Sequence, residues 1–200
     1  EVLGHYRSYQ LLGSLTGAFD DRTPVVGALR TSMEQEVERI FRLLSLLWPD
    51  RDLHSAYVGV WSERASVRAN AVEFLDNVLA PHLRSLIVPL FDPQIGLIER
   101  VARANRLLGM AVESQSHAIE TLLSSADPWL RSCGAYAVGV RELRDLRPRL
   151  EALTLDSDTL VRETALTSLR RLDASDGSAA EAGQTEVKES GVFKASSELV

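Results

Sequence analysis

Lysine is missing from almost the whole of this 200-residue chain. The twenty arginines all lie before residue 172, and the two lysines, Lys188 and Lys194, come after it. Such a body offers planar, bidentate guanidinium donors rather than ammonium point charges. Broad positive charge is missing too. Of the net −6, residues 173–200 carry −4, as six acids (Asp173, Asp176, Glu181, Glu186, Glu189 and Glu198) against the two lysines. That balance excludes the basic field of a nucleic-acid binder, so no nucleic-acid partner is expected. A single cysteine, Cys133, excludes an internal disulfide and favours a reducing compartment. Long apolar runs are absent: the best stretch, Leu83–Phe91, is broken by Arg84 and Pro89, well short of the roughly eighteen residues a membrane span requires. The chain opens at Glu1 without signal or transit segment and stops at Val200 without a cap. It reads as an excerpt from something longer.

What is present is helical patterning. Apolar residues make up 45% of the chain and aromatics only 6%, a balance suited to helix-on-helix packing. Apolar positions recur at helical spacing nearly throughout, and no period-two segment competes. A first helix is expected over residues 2–15. Thr23-Pro24 reads as an N-cap hydroxyl followed by proline at the first helical position. The helix that follows runs to about Trp48, with Val37, Ile40, Phe41, Leu44 and Leu47 on one face. Pro49 and Asp50 are expected to end it and to cap another near residues 52–61.

From Ser66 onward the chain beats. Val67, Ile98, Leu130 and Val161 are spaced by 31, 32 and 31 residues, and Val67-Arg68 matches Val161-Arg162 and Leu130-Arg131. Glu99 stands in the arginine slot after Ile98. Each unit reads as a helix pair whose second members are Pro81–Phe91, Glu113–Ser124 and Leu146–Leu155. The turns Asp92-Pro93, Asp127-Pro128 and Asp156-Ser157-Asp158 cap the helix that follows each. Stacked pairs share one core that a single pair cannot build. The expected fold is therefore all-α, a right-handed α-α superhelix of the HEAT/armadillo-like solenoid kind. Its expected parts are N-terminal helices over 1–64, repeats over 65–172 and a disordered acidic tail over 173–200.

The pattern D-x-x-[VL]-R-x-x-[AG], at Asp127–Gly134 and Asp158–Ala165, resembles the HEAT-repeat family. Arg39-Ile40-Phe41-Arg42-Leu43-Leu44, with the segment Val67–Leu79, resembles a narrower group. These are helical modules of bacterial membrane proteins in which a unit similar to the ATP/ADP translocases comes first and a cyclic-nucleotide-binding domain often last. The resemblance implies a cytoplasmic linking or regulatory module at the inner face of a bacterial membrane, and no transport residues in this chain.

Chemistry finds little footing. His5, His54, His82 and His117 are each more than twenty residues apart and are read as surface or capping residues, so no metal site is expected. Cys133 reads as a small buried thiol and Gly134 and Gly139 as close-packing positions; no cofactor and no catalytic residue is expected. Trp48, Trp61 and Trp129 are read as packing residues. Arg68, Arg131 and Arg162 are read as structural, each bonding a turn aspartate, such as Asp127 or Asp158, or an exposed carbonyl. Arg100, Arg103 and Arg106, spaced by three along one helix side, are the candidate contact surface for acidic protein segments or an anionic membrane. Arg141, Arg144, Arg147 and Arg149 form a second irregular group. The function expected is a non-enzymatic scaffold contacting neighbouring domains of its own polypeptide. The alternatives are a freestanding adaptor and, from another class, a base-modifying or pigment-attaching helical-repeat enzyme.

Overall fold

The computed structural model describes residues 1–17, 19–20 and 22–175, and every regular element among them is helical. The expected acidic tail beyond residue 175 lies outside the described residues. The chain divides into two compact units, Glu1–Ala118 and Ile119–Val200. The division anticipated at residues 64/65 falls between two helices that pack against each other inside the first unit.

The first unit contains α1 (Val2–Thr16), α2 (Pro24–Leu47), α3 (Leu53–Val60), α4 (Ala65–Val78), α5 (Pro81–Phe91) and α6 (Leu97–Leu108). Its long α2, about 36 Å at 1.5 Å per residue, turns Val37, Ile40, Phe41 and Leu44 inward. They meet Leu53, Leu75 and Ile87 in one core, where Phe41 packs 5.4 Å from both Tyr57 and Phe91. Burying each such side chain contributes about 1.5–3 kcal/mol. Leu47, expected on the same stripe, is exposed because it is the last residue of α2 and overhangs the core. α1 packs on α2 and on α6.

Three of the anticipated caps differ. Thr23 makes no side-chain cap; its hydroxyl donates to Asp20 O (2.7 Å), and Pro24 alone starts α2. Asp92 accepts from Gln94 N (2.9 Å) within its own turn, and α6 begins later, from Gly96. Asp52, rather than the expected Asp50, caps α3, accepting from Ser55 N at 3.0 Å.

The second unit carries α8 (Pro128–Val140), a 3-10 turn (Arg144–Leu146), α9 (Arg147–Leu153) and α10 over residues 159–175; the boundary between units falls within α7 (Gln115–Leu123). Asp127 caps α8 through Trp129 N, and Asp158 caps α10 through Leu160 N, both at 2.9 Å. Helices approach closely at two glycines. A methyl on Gly134 would lie 3.2 Å from Leu122 Cβ, and one on Gly139 only 2.8 Å from Ser168 Cβ. Just past Arg141, the C-cap of α8, Glu142 has a φ of 51°, a left-handed conformation unusual for a residue with a side chain. α10 runs past the anticipated start of the tail to residue 175, and Asp173 in that stretch pairs with Arg147 Nη2 at 2.8 Å.

Candidate functional site

Four arginines occupy one position in four helices. Arg68, Arg100, Arg131 and Arg162 are each the fourth residue of their helix, and each amide makes the first helical bond, to Arg64, Gly96, Asp127 and Asp158 O. The spacing anchored on Ile98 puts Glu99 in this slot. Counted from the helix start, the slot belongs to Arg100, because α6 begins one residue later relative to its apolar marker. In three of the four the guanidinium folds back over the preceding turn. Arg68 Nη1 donates to Ser62 O and Glu63 O, Arg131 Nη1 to Ser125 O and Ala126 O, and Arg162 Nη1 to Asp156 O and Ser157 O, all within 2.6–3.0 Å. These carbonyls lie just outside a helix N-terminus and have no ladder partner, so an arginine one turn in is well placed to satisfy two of them.

The acid partners differ from expectation. Asp127 and Asp158 cap their own helices, and the carboxylate held by Arg131 is that of Asp156: Nε to Oδ2 and Nη2 to Oδ1, both 2.9 Å. This fork-to-fork bond holds the Asp156 carboxyl below its usual range and raises Arg131 above its own. Arg162 turns its Nη2 to Thr159 Oγ1 instead.

Arg100, Arg103 and Arg106 do not share one open face. Pro89 has no N–H, so Ser85 O loses its helical donor, and Arg103 Nη2 supplies one. Arg100 Nη2 donates to Asp92 O (3.0 Å) at the C-terminal end of α5, and its guanidinium lies 5.4 Å from the Tyr9 ring centre. Tyr6 Oη, on a deeply buried ring, donates to Leu86 O at 2.8 Å. Arg106 alone is exposed. The signal for this reassignment was Pro89, whose missing donor calls for an outside one.

Around Arg100 lies a half-open cleft of about 430 Å³, within the first unit. Leu12, Met33 and Val37 line it with Leu90; Tyr9, Trp61, Arg68 and Arg100 stand at its sides together with Arg30 and Glu34. Beside it, His5 is buried rather than on the surface. Its Nδ1 sits 2.8 Å from Glu36 Oε2, the ring meets Tyr9 edge-on at 5.1 Å, and Ser8 Oγ donates to Glu36 Oε1. Because Glu36 holds both His5 and Ser8, the group positions α1 on α2 rather than arming a nucleophile. Burial raises the Tyr9 hydroxyl above its ordinary value. The His5–Glu36 pairing spans 31 residues, so no local spacing announces it.

Elsewhere the placements are plainer. Cys133 is buried, and burial pushes its thiol up to about 11. Trp48 packs against the core, whereas Trp61 and Trp129 are about half exposed because they sit at a helix end and a helix start. Arg149 reaches Glu120 (2.8 Å) and Arg147 reaches Glu151, both at the surface. Among the described residues no group of three His, Cys, Asp or Glu side chains is placed to hold a metal ion, and no helix is long and apolar enough to cross a membrane. Comparison with protein families, with curated proteins and with solved structures returns no match.

Proposed function

We propose that the chain is a HEAT-like helical-repeat interaction module, a right-handed α-α superhelix that contacts protein rather than performing chemistry. In this reading it links or regulates neighbouring domains of a longer membrane protein at the cytoplasmic face of a bacterial membrane. The repeat assignment is supported by the four arginines at one helical position. The observation that carries the binding role is apolar surface left uncovered at the end of α2. There Leu43, Leu46 and Leu47 are 48%, 78% and 64% exposed on adjacent turns. Scattered exposed leucines need no explanation, but three together within five residues mark a surface suited to being covered by a further protein segment.

A photo-crosslinking amino acid at position 46 of the intact parent protein, irradiated in cells, tests this directly. Crosslinks to another segment of the same polypeptide are the expected result. Crosslinks to a separate protein would move the conclusion to a freestanding adaptor. Recovery of the uncrosslinked chain alone would refute both.

A further inference from the structure

The second unit shows what this chain does with the remaining edge of such an arginine. Arg131 uses Nη1 for two carbonyls and closes its Nε–Nη2 edge on Asp156, two residues ahead of the N-cap of α10. Arg68 uses Nη1 in the same way. In the turn before α6, however, the residue two ahead of the N-cap Gly96 is neutral Gln94. Among the described residues the hydrogen bonds of Arg68 and Arg100 go to main-chain carbonyls rather than to a carboxylate, and the cleft they line holds three arginines against the one acid Glu34. Both side chains stand at the same cleft, above an apolar floor. A guanidinium fork beside an apolar hollow is complementary to a carboxylate beside a bulky apolar group.

We infer that this cleft docks a peptide segment of a partner protein in which an acidic residue neighbours a large apolar one. The peptide carboxylate closes on the Nε–Nη2 edge of Arg68 as Asp156 closes on Arg131. Arg100, held at the Tyr9 ring, adds the second positive charge, and the apolar side chain seats against Leu12, Met33 and Val37. That floor is recessed, with Met33 and Val37 only 7% and 2% exposed, so contact with it calls for a side chain that projects into the cleft. A planar bilayer surface presents its anionic headgroups without such a projection. The inference rests on the interaction-module reading, but on a surface that does not include Leu46.

The chain has two methionines, Met33 at the cleft floor and Met110 beyond the end of α6, so methyl-labelled methionine gives a two-signal report. A random dodecapeptide display library is selected on the wild-type chain, and a recovered peptide is synthesised and titrated into the labelled protein. The expected peptides pair Asp or Glu with Phe, Leu or Trp. They should shift the Met33 methyl while leaving Met110 in place, and bind about tenfold or more weakly to Arg68→Gln or Arg100→Gln, the loss of one charge-assisted hydrogen-bonded pair. Circular dichroism of each variant establishes that it is folded, and the Met33 shift in the wild-type protein stands independently of the variants. Selection of peptides without a carboxylate, recovery of none, or an unmoved Met33 would overturn the proposal. So would phosphatidylglycerol vesicles that move Met33 when no peptide does. Crosslinks from position 46 that persist in any of these outcomes would keep the module reading while removing the cleft from it.

Discussion

The two units answer the same sequence pattern differently. In the second, the markers Leu130 and Val161 are buried and Arg131 is locked onto Asp156. In the first, Val67 and Ile98 are exposed, at 37% and 87%, and Arg68 and Arg100 border an open cleft. One repeat position therefore serves closure in one unit and is left open in the other. The difference comes down to a few residues: an acid at 156 against Gln94, and a helix start displaced relative to Ile98. Where one helix start recurs, most positions hold the backbone, which leaves individual helices free to depart at a few.

The largest test of this contrast is at the clamp. Arg131→Ala should lower unfolding free energy by about 2 kcal/mol, and Asp156→Ala by a similar amount, since each leaves the other's charge without its partner. A double-mutant cycle should show coupling of about 1 kcal/mol or more. Arg68→Ala, which removes only bonds to carbonyls, should cost about 1 kcal/mol. Equal losses at Arg68 and Arg131, measured by urea denaturation, would erase the distinction between the units.

A second test lies in α5. Arg103→Ala should cost about 1 kcal/mol in the wild-type chain and less in a Pro89→Ala background, where Ser85 O regains a helical donor. Losses that are the same in both backgrounds would detach Arg103 from the proline.

Acid offers a gentler probe. The Asp156 carboxyl is held below its usual range mainly by the hydrogen bond from Arg131, and Asp52 by that from Ser55. A carboxyl with a lowered folded pKa contributes stability that is fully present above its unfolded value, about 4, and is lost as pH falls through the folded value. Thermal melts should thus be flat in these contributions from neutral pH to about 5 and decline below about 4. Arg131→Ala should flatten that decline in the second unit, and an unchanged acid profile would show that the clamp does not set it.

The smallest effect concerns the end of α8. Glu142→Gly should raise stability by about 0.5 kcal/mol, because glycine adopts the left-handed φ of 51° without the steric penalty of a side chain. A fall in melting temperature would mean the Glu142 side chain contributes more than its backbone loses.

Much of this fold was legible locally. Pro81, Pro128 and the capping acids Asp127 and Asp158 mark helix starts because a missing donor or a short carboxylate acts within three residues, whereas Asp52 took the cap expected of Asp50. What escaped the sequence depends on distance. The Arg131–Asp156 and His5–Glu36 pairs join residues 25 and 31 apart, and the exposure of Trp61 follows from its place at a helix end. The Arg100 slot was hidden by alignment on an apolar marker, although the arginines alone, at 68, 100, 131 and 162, keep the same beat.

The lone thiol of Cys133 turns this asymmetry into a clock. Sealed inside α8 and raised to about 11, it presents almost no thiolate to a reagent at neutral pH. Alkylation must then wait for α8 to part from its neighbours. Its rate levels off at high reagent concentration at the rate with which the second unit opens, and its slope against reagent at low concentration weighs the free energy of that opening. No other sulfhydryl in the chain competes for the label, so a single mass shift reads local breathing in the closed unit without engineering a probe.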